Sequence, residues 1–201
     1  MPDRAAAVED KRALIRGAAV RAFAKKGYHA CRVSDIAEEA GVAYGLVYHY
    51  FRSKEEVLEA IFRETWGQML ARVREVEESD QPAREKLRRV AAVILRTWRR
   101  DPDLVRVLVR EVTRGEQLQR QVEEIGQAFD ALRRIIADGQ EAGELRADVD
   151  ARVSAVVFYG ALEEILTGWV MGQLPDSDDD VAAAERAVAA TFSHGLGSVP
   201  G

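Results

Sequence analysis

The chain of 201 residues is 47% hydrophobic and 31% charged, with five prolines and one cysteine. A chain of this length and apolar content can bury a sizeable core, which favours compact folding. The single cysteine, Cys31, excludes an intramolecular disulfide, and because no signal peptide is recognised we expect a cytoplasmic protein. The formal net charge of −5 does not by itself suggest a nucleic-acid partner.

The charge is distributed unevenly along the chain. Residues 1–54 contain ten Lys and Arg against six Asp and Glu, a net charge of +4. Residues 55–201 contain nineteen against twenty-eight, a net charge of −9. Phosphate contact requires only a local basic patch, and an acidic remainder would limit nonspecific adhesion. The basic N-terminal part is therefore the part expected to meet nucleic acid.

Apolar residues recur at helical spacing through the chain, and no segment shows the alternation of a strand. This pattern predicts an all-α protein of about nine helices. The first is predicted over residues 9–26 and ends at Gly27, since glycine tolerates the backbone conformation of a helix end. After two short helices, longer ones are predicted at 55–78, 82–99, 103–113, 116–142, 150–173 and 181–197. The acidic run 178–180 is predicted to be a solvated loop that leads into the N-terminus of the last helix.

Residues 33–54 have the pattern of a helix-turn-helix. Ile36, Ala37 and Ala40 recur at helical spacing, and Gly41 follows where the first of two short helices ends. The second helix, from residue 43 to residue 51, directs Leu46, Val47 and either Tyr50 or Phe51 inward. Its outward-facing residues are Tyr44, Gly45, Tyr48 and His49. A generic helical hairpin is the alternative, but it would not require the small residues that let two helices cross closely.

The next helix begins with a capping box. The Ser53 hydroxyl is expected to accept a backbone N–H, and Glu56 is expected to reach back to the backbone before the helix. Lys54 lies at the first turn, where exposed N–H groups and a positive charge together suit a phosphate.

These segments resemble the TetR family of bacterial transcriptional regulators. The resemblance is carried by AFAKKGY at 22–28, DIAEEAGV at 35–42 and VYHYFRSKEEVL at 47–58. It implies a three-helix DNA-binding domain over residues 1–54 and a C-terminal helical domain over 55–201 that binds an effector and forms a homodimer. The DNA-facing positions of the family fall on Tyr44, Gly45, Tyr48, His49 and Lys54, and further DNA contacts are expected at Arg32, Ser34 and Ala43.

Arg32 and Ala43 depart from the family pattern, in which Ser or Thr often occupies these positions. A hydroxyl at a helix start accepts a backbone N–H, which neither Arg nor Ala does. We therefore expect both short helices to lack a side-chain cap, a loss of about 0.5–2 kcal/mol at each site. Arg32 is expected to contact a phosphate instead.

Residues 153–173 are long and apolar enough to span a bilayer, but Glu163 and Glu164 interrupt them. Each carboxylate would cost about 2.5–3.5 kcal/mol in lipid, so no membrane association is predicted. Protein is expected to cover this helix, and together with helix 181–197 it offers a packing surface to a second copy. The alternative is that both helices complete the core of one chain. A homodimer is favoured because two short reading helices can read a palindromic double-stranded operator.

Enzymatic chemistry has little support in the sequence. His29, His49 and His194 are far apart, and the spacings of zinc sites, phosphate loops and nucleophile elbows do not occur. No catalytic residue, metal site or cofactor is therefore predicted. Glu163 and Glu164 point about 100° apart on a helix, so we expect one to face a cavity and the other the surface. A helical enzyme and an interaction protein that does not bind DNA remain alternatives.

Residues 103–113 combine apolar residues with arginines at intervals of four, Arg106, Arg110 and, just beyond, Arg114. This stripe is either a solvated face paired with carboxylates or an anion site at the mouth of an apolar tunnel. The residues predicted to bind a ligand there are Arg106, Leu108, Val109, Arg110, Phe129, Tyr159, Leu162, Glu163, Leu166 and Trp169.

Two further segments, EAGELRAD at 141–148 and YGALEEILTGWV at 159–170, are similar to the FadR-type branch of the TetR family. This resemblance implies a repressor of fatty-acid degradation genes that leaves DNA when it binds long-chain acyl-CoA. Acyl-CoA would suit the tunnel, because each buried methylene gains about 0.8 kcal/mol and guanidinium groups match phosphates. Another hydrophobic effector would also fill it, so a repressor of an efflux or other catabolic operon is the alternative.

Overall fold

The computed structural model describes residues 4–112 and 123–195. Within these residues the prediction of an all-α protein of about nine helices is confirmed. The helices are α1 (Arg4–Lys26), α2 (Val33–Ala40), α3 (Tyr44–Tyr50), α4 (Lys54–Glu77), α5 (Ala83–Arg100), α6 (Pro102–Val112), α7 (Glu123–Glu141), α8 (Ala151–Val170) and α9 (Asp178–Gly195). The predicted start of the helix before residue 123, and Arg114, lie outside the described residues.

Three predicted helix ends were wrong. Helix α1 includes residues before Glu9, and α8 ends at Val170, three residues early. The acidic run is not a loop, because Asp178, Asp179 and Asp180 form the first turn of α9. Carboxylates stabilise a helix N-terminus, where backbone N–H groups lack partners. A capping box completes this start: Ser177 Oγ accepts the Asp180 N–H at 3.3 Å, and the Asp180 carboxylate accepts the Ser177 N–H at 3.0 Å.

The chain divides into two compact units. The first contains residues 4–65 and 103–112 of the described chain, so it holds α1, α2, α3, the first half of α4 and most of α6. Its buried residues include Ile15, Phe23, Ile36, Val47, Phe51, Val57 and Phe62. These compact units do not coincide with the domains predicted at 1–54 and 55–201, and that division stays a prediction.

The second unit contains residues 66–102 and 123–195. Helices α5 and α9 pack together, and an ion pair joins Arg96 to Glu185 at 2.7 Å. Trp98 of α5 stacks on Trp169 of α8, with ring centroids 6.4 Å apart. The side chain of Asp150 caps α8 by accepting the Val153 N–H at 2.8 Å. This unit therefore has an apolar core of its own.

Helix α8 is long and apolar enough to cross a membrane by length and composition. Within the second unit it is covered on one side only: Phe158 and Leu162 are buried, whereas Val153, Val156 and Val157 are 60%, 55% and 56% exposed. These three valines recur at helical spacing and form one stripe, which we call the valine stripe. A stripe of large apolar side chains open to water marks a surface that another apolar surface covers.

Candidate functional site

The turn between α2 and α3 is built on Gly41. Its backbone lies in the left-handed region at φ 65° and ψ 35°, which glycine adopts without steric cost. The Val42 N–H reaches the Ala37 carbonyl at 3.0 Å, and the Gly41 N–H reaches Glu38 at 3.1 Å. This is the Schellman arrangement of a helix end, and it turns the chain sharply into α3.

The start of α2 has no side-chain cap, as expected at Arg32. A guanidinium has only donors, so the capping box is one-sided: the Asp35 carboxylate accepts the Arg32 backbone N–H at 2.7 Å. Lys26 of α1 also binds Asp35 at 2.8 Å. Hydrogen bonds from Lys26 and from the Arg32 backbone hold the pKa of Asp35 below its ordinary value. The helix start is fixed by this ion pair, and the Arg32 side chain is left exposed.

Helix α3 also lacks a side-chain cap, because Ala43 occupies the N-cap position. The helix is held by its core face and by its C-terminal end instead. Val47 and Phe51 are buried, and Arg12 of α1 donates to the Tyr50 carbonyl at 2.6 Å. The same guanidinium lies 4.3 Å from the centroid of the Phe51 ring. Arg12 thus satisfies a carbonyl at the end of α3 and fixes α3 on α1.

The outer face of α3 presents the four residues predicted to face outward. Tyr44 and Tyr48 are 53% and 45% exposed, and Gly45 and His49 are exposed as well. The two tyrosine rings meet edge to face at 5.2 Å, and their hydroxyl oxygens are 3.3 Å apart. This hydrogen bond raises the pKa of Tyr48. Because both rings are exposed to water, they contribute little to folding stability. Large aromatic side chains that a helix holds in place are suited to contact another surface.

Lys54, predicted to contact a phosphate, has partners within the first unit. Its ammonium donates to the carbonyls of Tyr28 and Cys31 at 2.8 Å and 3.0 Å and lies 4.3 Å from the Tyr28 ring. An ammonium has three donors, so one is left for a phosphate. The side chain joins the loop after α1 to the first turn of α4, and its contact with DNA stays a prediction.

The capping box at the start of α4 is confirmed. Ser53 Oγ accepts the Glu56 N–H at 3.2 Å. The Glu56 carboxylate reaches back, as predicted, and accepts the N–H of Arg52 at 2.6 Å. Ser34 at the start of α2 is exposed. With Arg32, the outer face of α3 and Lys54, it belongs to the set of residues that we call the reading surface.

A cluster of aromatic side chains lies within the second unit, and we call it the apolar cluster. Tyr159 of α8 meets Phe129 of α7 at 4.9 Å and Trp66 of α4 at 5.9 Å between ring centroids. Trp66 is only 8% exposed, and its indole N–H has no hydrogen-bond partner. An unpaired buried donor costs about 1–3 kcal/mol, and an acceptor on a bound molecule would remove that cost.

Glu163 lies one helical turn beyond Tyr159 and is half-buried. Burial, and then repulsion from Glu164, raises the pKa of Glu163. Burial also raises the pKa of Tyr159, and the neighbouring Glu163 charge adds to this effect. Glu164 is exposed, as expected of one of the two carboxylates, and that Glu163 faces a cavity stays a prediction. A protonated Glu163 would offer a second hydrogen-bond donor beside the apolar cluster.

The other residues predicted to bind a ligand are dispersed. Leu162 and Trp169 are buried in the core of the second unit, where the Trp169 indole donates to the Pro175 carbonyl at 3.0 Å. Leu166 of α8 and Leu108 and Val109 of α6 are half-buried. Arg106 pairs with Asp103 at 2.7 Å, as a solvated face would, and Arg110 is exposed. The structure brings together Phe129, Tyr159 and Glu163 of this set.

Sequence reasoning missed two residues. Trp66 is not singled out by the apolar pattern of α4, and only the structure shows that its N–H has no acceptor. Arg12 was not singled out, since its partner Tyr50 is 38 positions away in sequence. Among residues 4–112 and 123–195, no group of three or more His, Cys, Asp or Glu is placed to hold a metal ion.

Two family models match nearly the whole chain. Residues 15–61 match the model of bacterial regulatory proteins of the tetR family. Residues 62–188 match the model of the C-terminal region of YsiA-like proteins. The first match includes the reading surface, and the second includes the apolar cluster.

Known proteins resemble the chain over similar lengths. It is 32% identical over 181 residues to the fatty acid metabolism regulator protein of Bacillus subtilis, covering 89% of this chain and 92% of that protein. The crystal structure of the transcriptional regulator FadR from Bacillus subtilis in complex with stearoyl-CoA superposes with a TM-score of 0.81 at 31% identity, covering 91% and 98%. FadR from Bacillus halodurans, a fatty acid degradation regulator, has a TM-score of 0.81 at 30% identity, covering 90% and 94%.

Proposed function

Because the chain belongs to the TetR family of bacterial regulatory proteins, we propose that this DNA-binding regulator represses fatty-acid metabolism genes and leaves its operator when it binds long-chain acyl-CoA. The observation that carries the DNA-binding role is the exposed aromatic face of α3, held from behind by Val47, Phe51 and Arg12. The relatives named above are transcriptional regulators, and we propose a cytoplasmic regulator without enzymatic activity.

On DNA, two copies of α3 enter successive major grooves about 34–36 Å apart on a palindromic operator. Tyr44, Gly45, Tyr48 and His49 face the base edges. Arg32, Ser34, Ala43 and Lys54 lie at helix starts, where backbone N–H groups and positive charge hold phosphates. A homodimer supplies the two copies, and the valine stripe of α8 supports this assembly because it is apolar and uncovered in one chain.

For the effector, the acyl chain occupies the apolar cluster of the second unit. Support comes from the aromatic walls of Phe129 and Tyr159 and from the unpaired Trp66 N–H, which would donate to an acceptor such as the thioester carbonyl. The complex of the Bacillus subtilis relative with stearoyl-CoA favours this class of effector. That Arg106 and Arg110 of α6 hold the phosphates of the effector stays a prediction from the sequence alone.

Helix α4 offers a route from effector to DNA. Lys54 lies in its first turn and joins the loop after α1, whereas Trp66 lies twelve residues further along the same helix. A helix rises 1.5 Å per residue, so about 18 Å separates the two positions. A ligand that contacts Trp66 would therefore act on the same helix that carries Lys54. Coupling of about 1–3 kcal/mol would lower operator affinity roughly 5–150-fold.

Footprinting on the DNA beside the gene of this protein tests the proposed function. We expect protection of a palindromic site, lost on addition of long-chain acyl-CoA and retained with free fatty acids or coenzyme A. Operator affinity should also fall steeply as salt is raised, because phosphate contacts release counterions. Absence of a protected site would contradict the DNA-binding role, and release by an unrelated hydrophobic compound alone would contradict acyl-CoA as effector.

The same assay separates the two interpretations of the α6 arginines. If they hold phosphates, the variant Arg106→Ala with Arg110→Ala should require at least tenfold more acyl-CoA for release, because two charge-assisted contacts are lost. Its matched control is Arg63→Ala with Arg133→Ala, which removes the same charge at one exposed and one half-buried position outside α6. If the α6 variant released DNA at the same acyl-CoA concentration as the wild type, the interpretation of these arginines as a solvated face would be correct.

Trp66→Phe tests the buried donor while keeping an aromatic ring. A neutral hydrogen bond contributes about 0.5–1.5 kcal/mol, so we expect acyl-CoA affinity to fall about 2- to 12-fold in calorimetry. The free protein should be as stable as the wild type or more stable, because an unsatisfied donor is removed. Trp98→Phe is the control: its N–H already bonds Asp176 at 3.1 Å, so the change should lower the unfolding temperature and leave acyl-CoA affinity unchanged. Equal affinities of Trp66→Phe and wild type would exclude the indole as a ligand contact.

A further inference from the structure

Helix α5 is strongly basic in an otherwise acidic part of the chain. Its eighteen residues, Ala83–Arg100, include seven Lys and Arg and one Glu. Residues 55–201 as a whole have a net charge of −9. The reading surface lies in the other compact unit, so this concentration of positive charge is not explained by DNA reading.

Five arginines of α4 and α5 line one open cleft of about 420 Å³ within the second unit. They are Arg72, Arg88, Arg89, Arg96 and Arg100, and the cleft has a single lining carboxylate, Glu75. Val76, Ala92 and Val93 supply an apolar surface beside them. We call this the arginine cleft.

Carboxylates compensate only part of this charge. Arg96 makes a two-pronged contact with Glu185 at 2.7 Å and 2.8 Å, and Arg88 makes one with Glu85 at 2.7 Å and 2.5 Å. In the part of the chain that the structure describes, Arg72, Arg89 and Arg100 have neither a salt bridge nor a side-chain hydrogen bond. Three guanidinium groups therefore face the cleft without a bound carboxylate.

A neighbouring cleft of about 340 Å³ provides an internal comparison. It is lined by Arg96, Arg99 and Arg100 together with Asp178 and Glu185. Arg99 pairs with Asp178 at 2.6 Å, and Arg96 pairs with Glu185. In that cleft the two acidic side chains neutralise the arginines, whereas the arginine cleft retains its positive charge.

We propose that the arginine cleft binds the phosphate groups of a nucleotide. Guanidinium groups are planar, always charged and matched to phosphate by paired N–H donors. Arg89 and Arg100 are eleven residues apart on α5, a rise of about 16 Å, which exceeds the reach of one inorganic phosphate. An elongated anion with two or more phosphates fits this spacing, and its base packs on Ala92 and Val93. The nucleotide is a free one and distinct from the effector, because the phosphates of acyl-CoA are predicted to be held by Arg106 and Arg110.

Calorimetric titration of the full-length protein tests this site with ADP, coenzyme A and inorganic phosphate as probes. The variant Arg89→Ala with Arg100→Ala should weaken binding of the nucleotide at least tenfold, because each lost guanidinium removes a charge-assisted contact. Arg89→Lys with Arg100→Lys should weaken it less, since the charge is kept and the paired donors are lost. Circular dichroism on every variant establishes that the fold is retained.

The matched control is again Arg63→Ala with Arg133→Ala, which lowers the net charge equally away from the cleft. Retained affinity in the control with loss in the cleft variant supports the site. Binding of ADP that the cleft variant loses supports a site for free nucleotides, whereas binding of coenzyme A without binding of ADP would assign the cleft to the effector and overturn the proposal. Failure of both nucleotides to bind, or equal weakening in both double variants, would overturn the proposal. None of these titrations measures operator binding or release. Failure of this proposal can therefore be distinguished from failure of the proposed function.

Discussion

Replacing Tyr44 with alanine is expected to weaken operator binding about 30-fold or more, with no change in the dimer, because each of the two half-sites loses a contact of at least about 1 kcal/mol. A good contact to a base edge contributes about 1–3 kcal/mol of discrimination, and a palindromic operator meets the residue in both half-sites. Fluorescence anisotropy with a labelled operator duplex measures the affinity, and sedimentation measures the assembly. Competition with unrelated duplex DNA shows whether the loss is specific to sequence.

The expectation follows from what Tyr44 does in the structure. The ring is 53% exposed, so its removal leaves no cavity and little loss of folding stability. Its contacts are with Tyr48, the edge-to-face ring at 5.2 Å and the hydroxyl at 3.3 Å. Since Val47, Phe51 and Arg12 hold α3 from its other side, the helix should keep its position in the variant.

Two control variants are needed. The first separates the contribution of the Tyr44 ring from that of its hydroxyl, and the second shows whether loss of any exposed apolar side chain lowers operator affinity. Tyr44→Phe keeps the ring and removes the hydrogen bond to Tyr48, so a smaller loss would assign the contact to the ring. Met171→Ala shortens an apolar side chain that is 57% exposed and lies in the other compact unit, and it should leave operator affinity unchanged. If Tyr44→Ala bound the operator as tightly as the wild type, Tyr44 would not belong to the reading surface.

The helix-turn-helix was predictable because its determinants are local. Gly41 is required by a backbone conformation at φ 65°, and the apolar residues before it repeat at helical spacing. The capping box of Ser53 and Glu56 spans four residues and is recognisable in the same way. The outward direction of Tyr44 and Tyr48 follows from helical periodicity once Val47 is assigned to the core.

Other features depend on residues far apart in sequence. The support of α3 by Arg12 crosses 38 positions, and the apolar cluster joins Trp66 to Tyr159 across 93. No local pattern reports that the Trp66 N–H lacks an acceptor. The start of α9 is predicted three residues late for another reason, because the pattern places the aspartates in a loop before the helix, whereas they form its first turn.

The basic character of α5 is not apparent when charge is counted over whole domains. The division at residue 54 made the C-terminal part acidic as a whole, and the basic character of α5 was averaged away. Only the packing of α4 beside α5 shows that five arginines line one cleft. Charge is therefore informative at the scale of a single helix face, which is the scale at which a phosphate meets its guanidinium partners.

Placing an arginine in the valine stripe should dissociate the proposed dimer and abolish high-affinity operator binding. Val157 is 56% exposed and lies beside Val153 and Val156 on α8. In a twofold interface the same surface appears on both copies, so one substitution introduces two charges. Burying an unpaired charge costs several kcal/mol, which corresponds to a dimer dissociation constant more than a hundredfold weaker. Sedimentation velocity over a range of protein concentrations measures this change directly.

The fold itself should survive Val157→Arg, because within one chain the residue is open to water and its neighbours Phe158 and Leu162 carry the core of α8. Leu14→Arg is the matched control, since it places the same charge on another apolar residue, 40% exposed, in α1. That variant should remain dimeric. A Val157→Arg protein that stays dimeric would show that the valine stripe lies outside the interface. A monomer that still binds the operator with wild-type affinity would contradict the link between the twofold assembly and the reading of two half-sites.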